Sequence, residues 1–132
     1  MTNEPKTPTI YRLGYGTDKL TRADAEAFAA VGDGWKNTLI KFLLDHIDQF
    51  YTEFHIGQIK EKFGGLRFYV FGGTYREGVE HHVGYGSTGD YIEAVEFLSL
   101  YICEECGAPG SRTENGGWIK TLCPRCEKSD QK

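Results

Sequence analysis

The middle of the chain changes from a helical to a strand pattern of apolar residues. From Trp35 onward the apolar positions recur every three to five residues with polar positions between them, which is typical of an amphipathic helix. The residues of this stripe are Trp35, Leu39, Ile40, Leu43, Ile47, Phe50, Tyr51 and Phe54. The pattern predicts a helix over about 34–53, the longest in the chain.

Beyond this helix, β-branched and aromatic residues alternate with polar ones on both sides of Gly64-Gly65. The two runs predict a β-hairpin, and the glycines suit a two-residue turn because both turn positions can require positive φ. This register places Lys62 opposite Arg67. The inner, apolar face would then consist of Ile59, Phe63, Leu66, Phe68 and Val70.

Two shorter helices are indicated by capping signals. Thr21, with Asp24 three residues later, has the spacing of a capping box. Asp90 is the predicted cap of a later helix that would run directly into the first cysteine. The apolar side of that helix would be Tyr91, Val95, Leu98 and Ile102. The glycine-rich stretch 72–89 fits either a functional loop or a hidden strand.

Four cysteines form two Cys-x-x-Cys pairs with sixteen residues between them. The predicted metal ligands are Cys103, Cys106, Cys123 and Cys126. This spacing is typical of two knuckles that hold one zinc ion, and Asn115-Gly116 between them predicts a hairpin turn. Four thiolates leave no open position on the metal, so the predicted Zn²⁺ is structural. A redox dithiol would need a thioredoxin-like βαβ setting, which the pattern lacks.

The chain of 132 residues has room for one compact domain. The elements predict an α+β fold, with a small helix-and-β-hairpin core and a C-terminal zinc ribbon that has four cysteine ligands. The core would span 10–102, and the ribbon at 103–127 would pack on it as part of a single unit. A disordered tail is predicted at 1–9 and a short polar tail at 128–132.

The formal net charge of −4 creates no global field that would draw the protein to a nucleic-acid backbone. No stretch approaches the roughly 20 apolar residues of a membrane helix, and the N-terminus does not read as a signal peptide. A cytoplasmic protein without a membrane partner is therefore expected. In a reducing compartment, paired cysteines are metal ligands more readily than disulfides.

Strand alternation places basic and aromatic residues together on the outer face of the predicted hairpin. They are Lys60, Lys62, Arg67, Tyr69 and Phe71. Cations interleaved with aromatic rings can receive phosphates and a stacked base, or an acidic patch on a protein partner. The alternative is a solvated strand face whose charges are balanced by acidic neighbours.

Two further residues have open roles. Glu61 falls on the apolar side of the hairpin, where it would form a structural salt bridge or, with a histidine, act in an enzyme. The salt bridge is favoured, and the chain is not expected to be an enzyme, since no second acid or base is evident. Trp118 is predicted to pack the ribbon onto the core.

The chain combines the motifs Gly34-Trp35, Leu39-Ile40, Gln58–Tyr69, Cys103–Gly110 and Gly117–Cys123. This combination resembles a family of small proteins encoded by tailed phages and prophages. The similarity covers roughly 34–126. It implies a phage accessory protein in a bacterial cytoplasm that binds a host protein, for example one used in defence, and inhibits or adapts it. The hairpin would be its functional face, with nucleic-acid or nucleotide binding as the alternative.

Overall fold

The computed structural model describes residues 7–79 and 87–130 and has the predicted α+β architecture. The helices are α1 (Arg22–Phe28), α2 (Asp33–Trp35), α3 (Lys41–Phe50), α4 (Thr88–Leu98) and α5 (Pro124–Asp130), with a π-helical segment at Lys36–Ile40 and a 3-10 turn at Ser99–Tyr101. The strands are β1 (Ile10–Leu13), β2 (Tyr51–Lys62), β3 (Gly65–Tyr75), β4 (Ser111–Asn115) and β5 (Trp118–Leu122).

The strands form two sheets. In the larger sheet the order is β1-β2-β3, with β1 parallel and β3 antiparallel to β2. Its inner face packs against the helices, and the buried core includes Trp35, Leu43, Ile47, Phe54, Ile56, Ile59, Leu66, Phe68 and Val95. The smaller sheet pairs β4 with β5 in the C-terminal unit (residues 103–130), which carries the four cysteines. Because strand side chains alternate, the side chains of Tyr69 and Phe71 lie on the other face of the larger sheet, and both are exposed.

The predicted long helix ends earlier than its apolar pattern suggested. Helical structure is continuous from α2 through α3 but stops at Phe50, and Tyr51 and Phe54 lie on β2. Both are buried in the core, as their apolar character predicted, but they lie on a strand and not on the predicted helix. A spacing of three residues can fit the end of a helix stripe as well as a bulged strand, and pairing of Tyr51 with Tyr75 decides for the strand.

The predicted Gly64-Gly65 turn is wrong by one residue. Lys62 pairs with Gly65, so the turn consists of Phe63 and Gly64, with φ values of +53° and +80°. Lys60, and not Lys62, therefore lies opposite Arg67. Phe63 is 61% exposed and does not belong to the inner face.

Side-chain contacts account for this unexpected turn. The Glu61 carboxylate accepts a hydrogen bond from the Gly64 backbone N–H at 2.7 Å, and Thr121 Oγ1 donates to Gly64 O at 2.6 Å. A non-glycine residue at positive φ costs roughly 1–2 kcal/mol, so Phe63 is held there by its surroundings.

Helix α4 begins two residues before the predicted cap and covers the edge of β3. Its cap is Ser87, whose side chain accepts from Asp90 N, and its buried apolar residues are Ile92 and Val95. Leu98, predicted on the apolar side, is 46% exposed. The capping box of Thr21 and Asp24 on α1 is confirmed.

The outward backbone N–H groups at the start of β3 are bonded by side chains from α4 and the turn that follows it. Leu66 N donates to Ser99 Oγ, and Phe68 N donates to Glu96 Oε2, each at 2.9 Å. These two donors at the sheet edge therefore have hydrogen-bond partners without a further strand.

Residues 10–13 and 124–130, near the two ends of the chain, form more regular structure than the sequence predicted. Strand β1 was not predicted, and just before it Thr9 is buried, with its Oγ1 donating to Tyr51 O at 2.7 Å. Lys128 lies in α5 and not in a tail. Strand β3 extends to Tyr75, so part of the glycine-rich stretch is strand, whereas 80–86, which includes His81 and His82, lies outside the described residues.

A buried polar cluster joins α3, β2 and α4. His46 Nε2 lies 3.0 Å from Thr88 Oγ1, which is 2.6 Å from the Tyr51 hydroxyl. The imidazole also contacts the rings of Phe50 and Tyr91. Burial lowers the pKa of His46, because the charged imidazolium is poorly solvated there.

Acidification is expected to destabilise the fold through His46. Unfolded histidine takes up a proton near pH 6.5, while the folded form resists it, so the free energy of unfolding should be fully present above that pH and fall below it. Thermal denaturation between about pH 7.5 and about pH 5.5 should show a smaller pH dependence for His46→Gln than for the natural chain. Identical pH dependence of the two proteins would contradict this role.

Candidate metal centre and binding face

The structure brings the four predicted cysteine ligands together at one point. The sulfur atoms of Cys103, Cys106, Cys123 and Cys126 all lie within 4.8 Å of one another, and Cys106 Sγ is 3.6 Å from Cys123 Sγ. A tetrahedral metal with bonds to sulfur of about 2.3 Å needs sulfurs about 3.8 Å apart. The cluster can therefore hold one metal ion.

Local backbone geometry aims these sulfurs at a common centre. Gly107 has φ +85°, a left-handed conformation that glycine adopts without strain, and its N–H donates to Cys103 O at 2.9 Å. In the second pair, Cys126 N donates to Cys123 Sγ at 3.4 Å. This hydrogen bond lowers the pKa of Cys123, which favours the thiolate form that binds metals.

The first cysteine loop packs directly against the start of the long helix. Gly34 N donates to Glu104 O at 3.0 Å, and the Trp35 indole N–H donates to Ile102 O at 2.8 Å. A Cβ atom at Gly34 would come within 2.6 Å of Cys106 N and closer still to Cys103 O. Backbone meets backbone here, and only glycine leaves enough room.

The C-terminal unit also holds the tip of the first hairpin. Arg112 Nη2 donates to Phe63 O at 2.8 Å, next to the bond between Thr121 and Gly64. The Glu104 carboxylate accepts from Thr121 N at 2.9 Å, and burial raises its pKa. The metal centre is thus connected to both the helix and the hairpin.

Two predictions for the C-terminal unit are wrong. Asn115 pairs with Trp118, so the turn is Gly116-Gly117, with φ values of +60° and +89°. Two successive glycines accept positive φ more easily than Asn-Gly, which explains the shift. Trp118 follows this turn at the far end of the β4-β5 sheet and is 74% exposed, so it does not pack the unit onto the core.

The five residues predicted on the outer face of the hairpin do lie outside the core, but four of them line two separate cavities and Lys60 lines neither. Tyr69 and Phe71 are exposed and line one cavity, while Lys62 and Arg67 line another near the tip. Lys60 lies beside the first, with its ammonium 6.0 Å from the centroid of the Tyr69 ring.

The first cavity, called here the aromatic cleft, has a volume of about 450 Å³. Its lining consists of Gly14, Tyr15, Phe28, Gly57, Gln58, Tyr69 and Phe71. Tyr15 is 95% exposed, and its ring centroid lies 6.0 Å from that of Phe71. A Cβ at Gly57 would lie 3.1 Å from the Phe71 ring, so the absence of a side chain at Gly57 lets the ring pack over the backbone of β2.

The second cavity, called here the tip groove, has a volume of about 360 Å³. Its lining consists of Lys62, Phe63, Gly65, Arg67, Glu96, Phe97, Leu100 and Arg112. Arg112 comes from β4 and was not identified from the sequence, because nothing in the local pattern indicates that β4 reaches the hairpin tip. Tyr15 and Phe28 of the aromatic cleft were missed similarly, since their placement depends on β1.

Glu61 lies near the end of β2, where its carboxylate holds the turn, and it does not form the predicted salt bridge. Among residues 7–79 and 87–130, the observed ion pairs involve Arg12 and Arg22, and the Glu61 carboxylate is bonded to Gly64 N. His55 Nε2 contacts Gly14 O at 2.5 Å and His46 contacts Thr88, so neither of these histidines is bonded to Glu61.

A third cavity, of about 560 Å³, is lined by charged groups that bind one another. Arg22 contacts Asp45 at 2.6 Å and Asp48 at 2.8 Å, and the Tyr11 hydroxyl donates to Asp48 at 2.6 Å. Burial raises the pKa of Tyr11. These mutual contacts explain how α1, β1 and α3 are joined.

Comparison of the chain with protein-family models, with curated proteins and with solved structures finds no match. Within the part of the chain that the structure describes, no helix has the length and apolar character needed to cross a membrane. What this protein does must therefore follow from its own cavities, charges and exposed rings.

Proposed function

We propose that this chain is a non-enzymatic binding protein that occupies the surface of another protein through its aromatic cleft. The observation that supports this most strongly is the concentration of solvent-exposed rings at Tyr15, Tyr69 and Phe71 around one concave site. Aromatic residues dominate the energetics of protein interfaces because they bury large apolar areas with few rotatable bonds.

The chemistry of the cleft suggests the chemistry of its partner. The cavity of about 450 Å³ can accept an apolar anchor side chain, and Lys60 at its edge favours a carboxylate beside that anchor. A protein surface with an apolar residue flanked by acidic residues would be complementary to this site.

The metal in the cysteine cluster is proposed to be structural Zn²⁺. Four thiolates in a tetrahedral arrangement suit zinc, and they occupy all of its coordination positions. Such an ion cannot bind a substrate or activate water, and it contributes to folding. This is consistent with a protein that acts by binding.

The setting is proposed from the resemblance to small phage and prophage proteins. In that setting the chain works in the bacterial cytoplasm as an accessory protein, and its partner is a host protein, such as a defence component, that it inhibits or adapts. The hairpin segment Gln58–Tyr69 supports the resemblance and forms part of the cleft.

The expected result of Tyr69→Ala is loss of one specific host protein from affinity captures made with bacterial lysate. Alanine removes a ring that lines the cleft without touching the buried core, so binding should weaken by about 2 kcal/mol or more. Quantitative mass spectrometry of the captured proteins, followed by titration with the purified partner, measures this effect.

Phe42→Ala is the matched control, because Phe42 is an exposed ring on α3, outside the cleft lining. It should retain the partner at unchanged affinity. If both variants capture the same proteins in the same amounts, the cleft is not the binding surface.

Nucleic-acid or nucleotide binding is the second candidate. It is supported by the Lys60 ammonium above the ring of Tyr69, since a cation beside an exposed ring can meet a phosphate and a stacked base. Affinity for single strands would then fall steeply with salt and would depend on Lys60.

A further inference from the structure

We propose that the tip groove binds the phosphate groups of a small ligand of nucleotide size, such as a nucleoside diphosphate. The groove is separate from the aromatic cleft, and this proposal does not depend on the proposed protein partner. Its basis is a cluster of three cations, contributed by Lys62, Arg67 and Arg112, around one cavity.

The positive charge of this cluster is not balanced by ion pairs. Among residues 7–79 and 87–130, the observed ion pairs involve Arg12 and Arg22 and none of these three cations. The lining has one carboxylate, that of Glu96, and its Oε2 accepts from Phe68 N. Three neighbouring cations and one occupied carboxylate leave an excess of two positive charges, which an anionic ligand would relieve.

Both arginines are held in place before a ligand arrives. Arg67 Nη1 donates to Leu66 O at 3.2 Å, and Arg112 Nη2 donates to Phe63 O at 2.8 Å. A guanidinium has five N–H donors, so each arginine keeps further donors for phosphate oxygens. Anchored guanidiniums lose little freedom on binding, and their planar shape suits bidentate contacts with phosphate.

The walls of the groove supply surfaces for a flat ring. Phe63 and Phe97 are 61% and 60% exposed, and Leu100 adds an apolar side chain to the lining. An exposed phenyl ring beside a phosphate site can stack a nucleobase. Phe63 also keeps a positive φ, and unfavourable backbone conformations of this kind tend to persist at binding sites.

Size and charge favour a nucleotide over a nucleic-acid strand. The volume of about 360 Å³ falls in the range of small-molecule sites, and the three cations line one cavity rather than an extended track. The whole chain has a net charge of −4, which repels an extended polyanion but acts weakly on a compact one.

The test is calorimetric titration of the metal-loaded full chain at low salt with three probes, ADP, pyrophosphate and a short single-stranded oligonucleotide. We expect ADP to bind more tightly than pyrophosphate. Arg112→Gln and Arg67→Gln should each weaken ADP binding about tenfold, since each removes hydrogen bonds to a charged group. Arg125→Gln, an equal charge change at an exposed position of α5, should leave it unchanged.

Two further variants keep the test decisive if Arg112→Gln disturbs the turn. Lys62→Gln removes an exposed cation from the groove and should weaken all phosphate probes, while Phe97→Ala should weaken ADP and spare pyrophosphate. Tyr69→Ala should leave ADP binding unchanged, which separates this site from the aromatic cleft.

The proposal is overturned if ADP does not bind, or if the groove variants and Arg125→Gln bind it equally well. Tighter binding of the oligonucleotide than of ADP, lost in the same variants, would assign the groove to nucleic acid instead.

Discussion

Gly34→Ala is expected to lower the free energy of unfolding by about 3 kcal/mol or more, although alanine is the better helix former. The added Cβ would enter the first cysteine loop, where backbone atoms of Cys103, Cys106 and Gly107 leave no space. Helix propensity favours alanine by only about 1 kcal/mol, whereas overpacking against backbone has no flexible side chain to absorb it. Urea denaturation monitored by circular dichroism measures the loss.

Gly89→Ala provides the matched control. Gly89 also lies in the first turn of a helix, but the nearest atom to its added Cβ is Ser87 Oγ at 3.8 Å, an ordinary contact distance. This variant should be as stable as the natural chain or more stable by up to about 1 kcal/mol. If the two variants have equal stability, the close approach of α2 to the cysteine loop is not a real constraint.

Removal of the metal by a chelator is expected to unfold the C-terminal unit and to destabilise the hairpin tip and the start of α2, which it contacts. Structural zinc contributes about 10–16 kcal/mol in isolated zinc peptides, which equals or exceeds the net stability of a typical domain of about 5–15 kcal/mol. Without the metal, four sulfurs within 4.8 Å would repel as thiolates or rearrange. Native mass spectrometry and thermal denaturation, with and without chelator, report metal content and stability together.

Hydrogen exchange can show how far this effect extends. Amides at the hairpin tip and at the start of α2 should exchange faster in the chelated protein, because Thr121, Arg112 and Glu104 connect them to the cysteine unit. Added Zn²⁺ should restore protection, while Mg²⁺, which prefers oxygen ligands, should not. Loosening confined to the cysteine loops would contradict this coupling.

Features written into short stretches of sequence were predicted well. The fold class, the existence of the first hairpin and the set of four cysteines each depend on local spacing, and the structure contains all three. The capping box at Thr21 was also predictable, since its donor and acceptor lie three residues apart. Local chemistry is sufficient for such elements.

Both predicted hairpin turns are wrong by one residue. In the first hairpin, contacts with residues distant in sequence decide the register, and in the second, a second glycine does. Phe63 is forced into the turn by a neighbouring carboxylate and by Thr121, which bonds Gly64 from 57 residues further along the chain. No propensity would place phenylalanine at positive φ in preference to Gly65. The shift of the turn also changes which lysine lies opposite Arg67.

The candidate sites were half predicted for a related reason. Tyr69, Phe71, Lys62 and Arg67 belong to one hairpin and could be grouped by alternation. Their partners come from stretches that local pattern does not connect to the hairpin: Tyr15 follows the unpredicted β1, and Arg112 lies on β4. Only packing of separate elements brings these side chains together.

The bond from Arg112 to Phe63 predicts a thermodynamic link between the proposed metal ion of the cysteine cluster and the proposed ligand of the tip groove. Arg112 lies on β4 and reaches the groove only when that strand is folded. Because the metal is expected to keep β4 folded, the metal-bound protein should bind the groove ligand more tightly. By reciprocity, a ligand in the groove must strengthen metal retention by the same free energy. The proposed zinc ion would then be retained more firmly while a small anion occupies the groove, so the metal content of the protein would depend on the concentration of that anion.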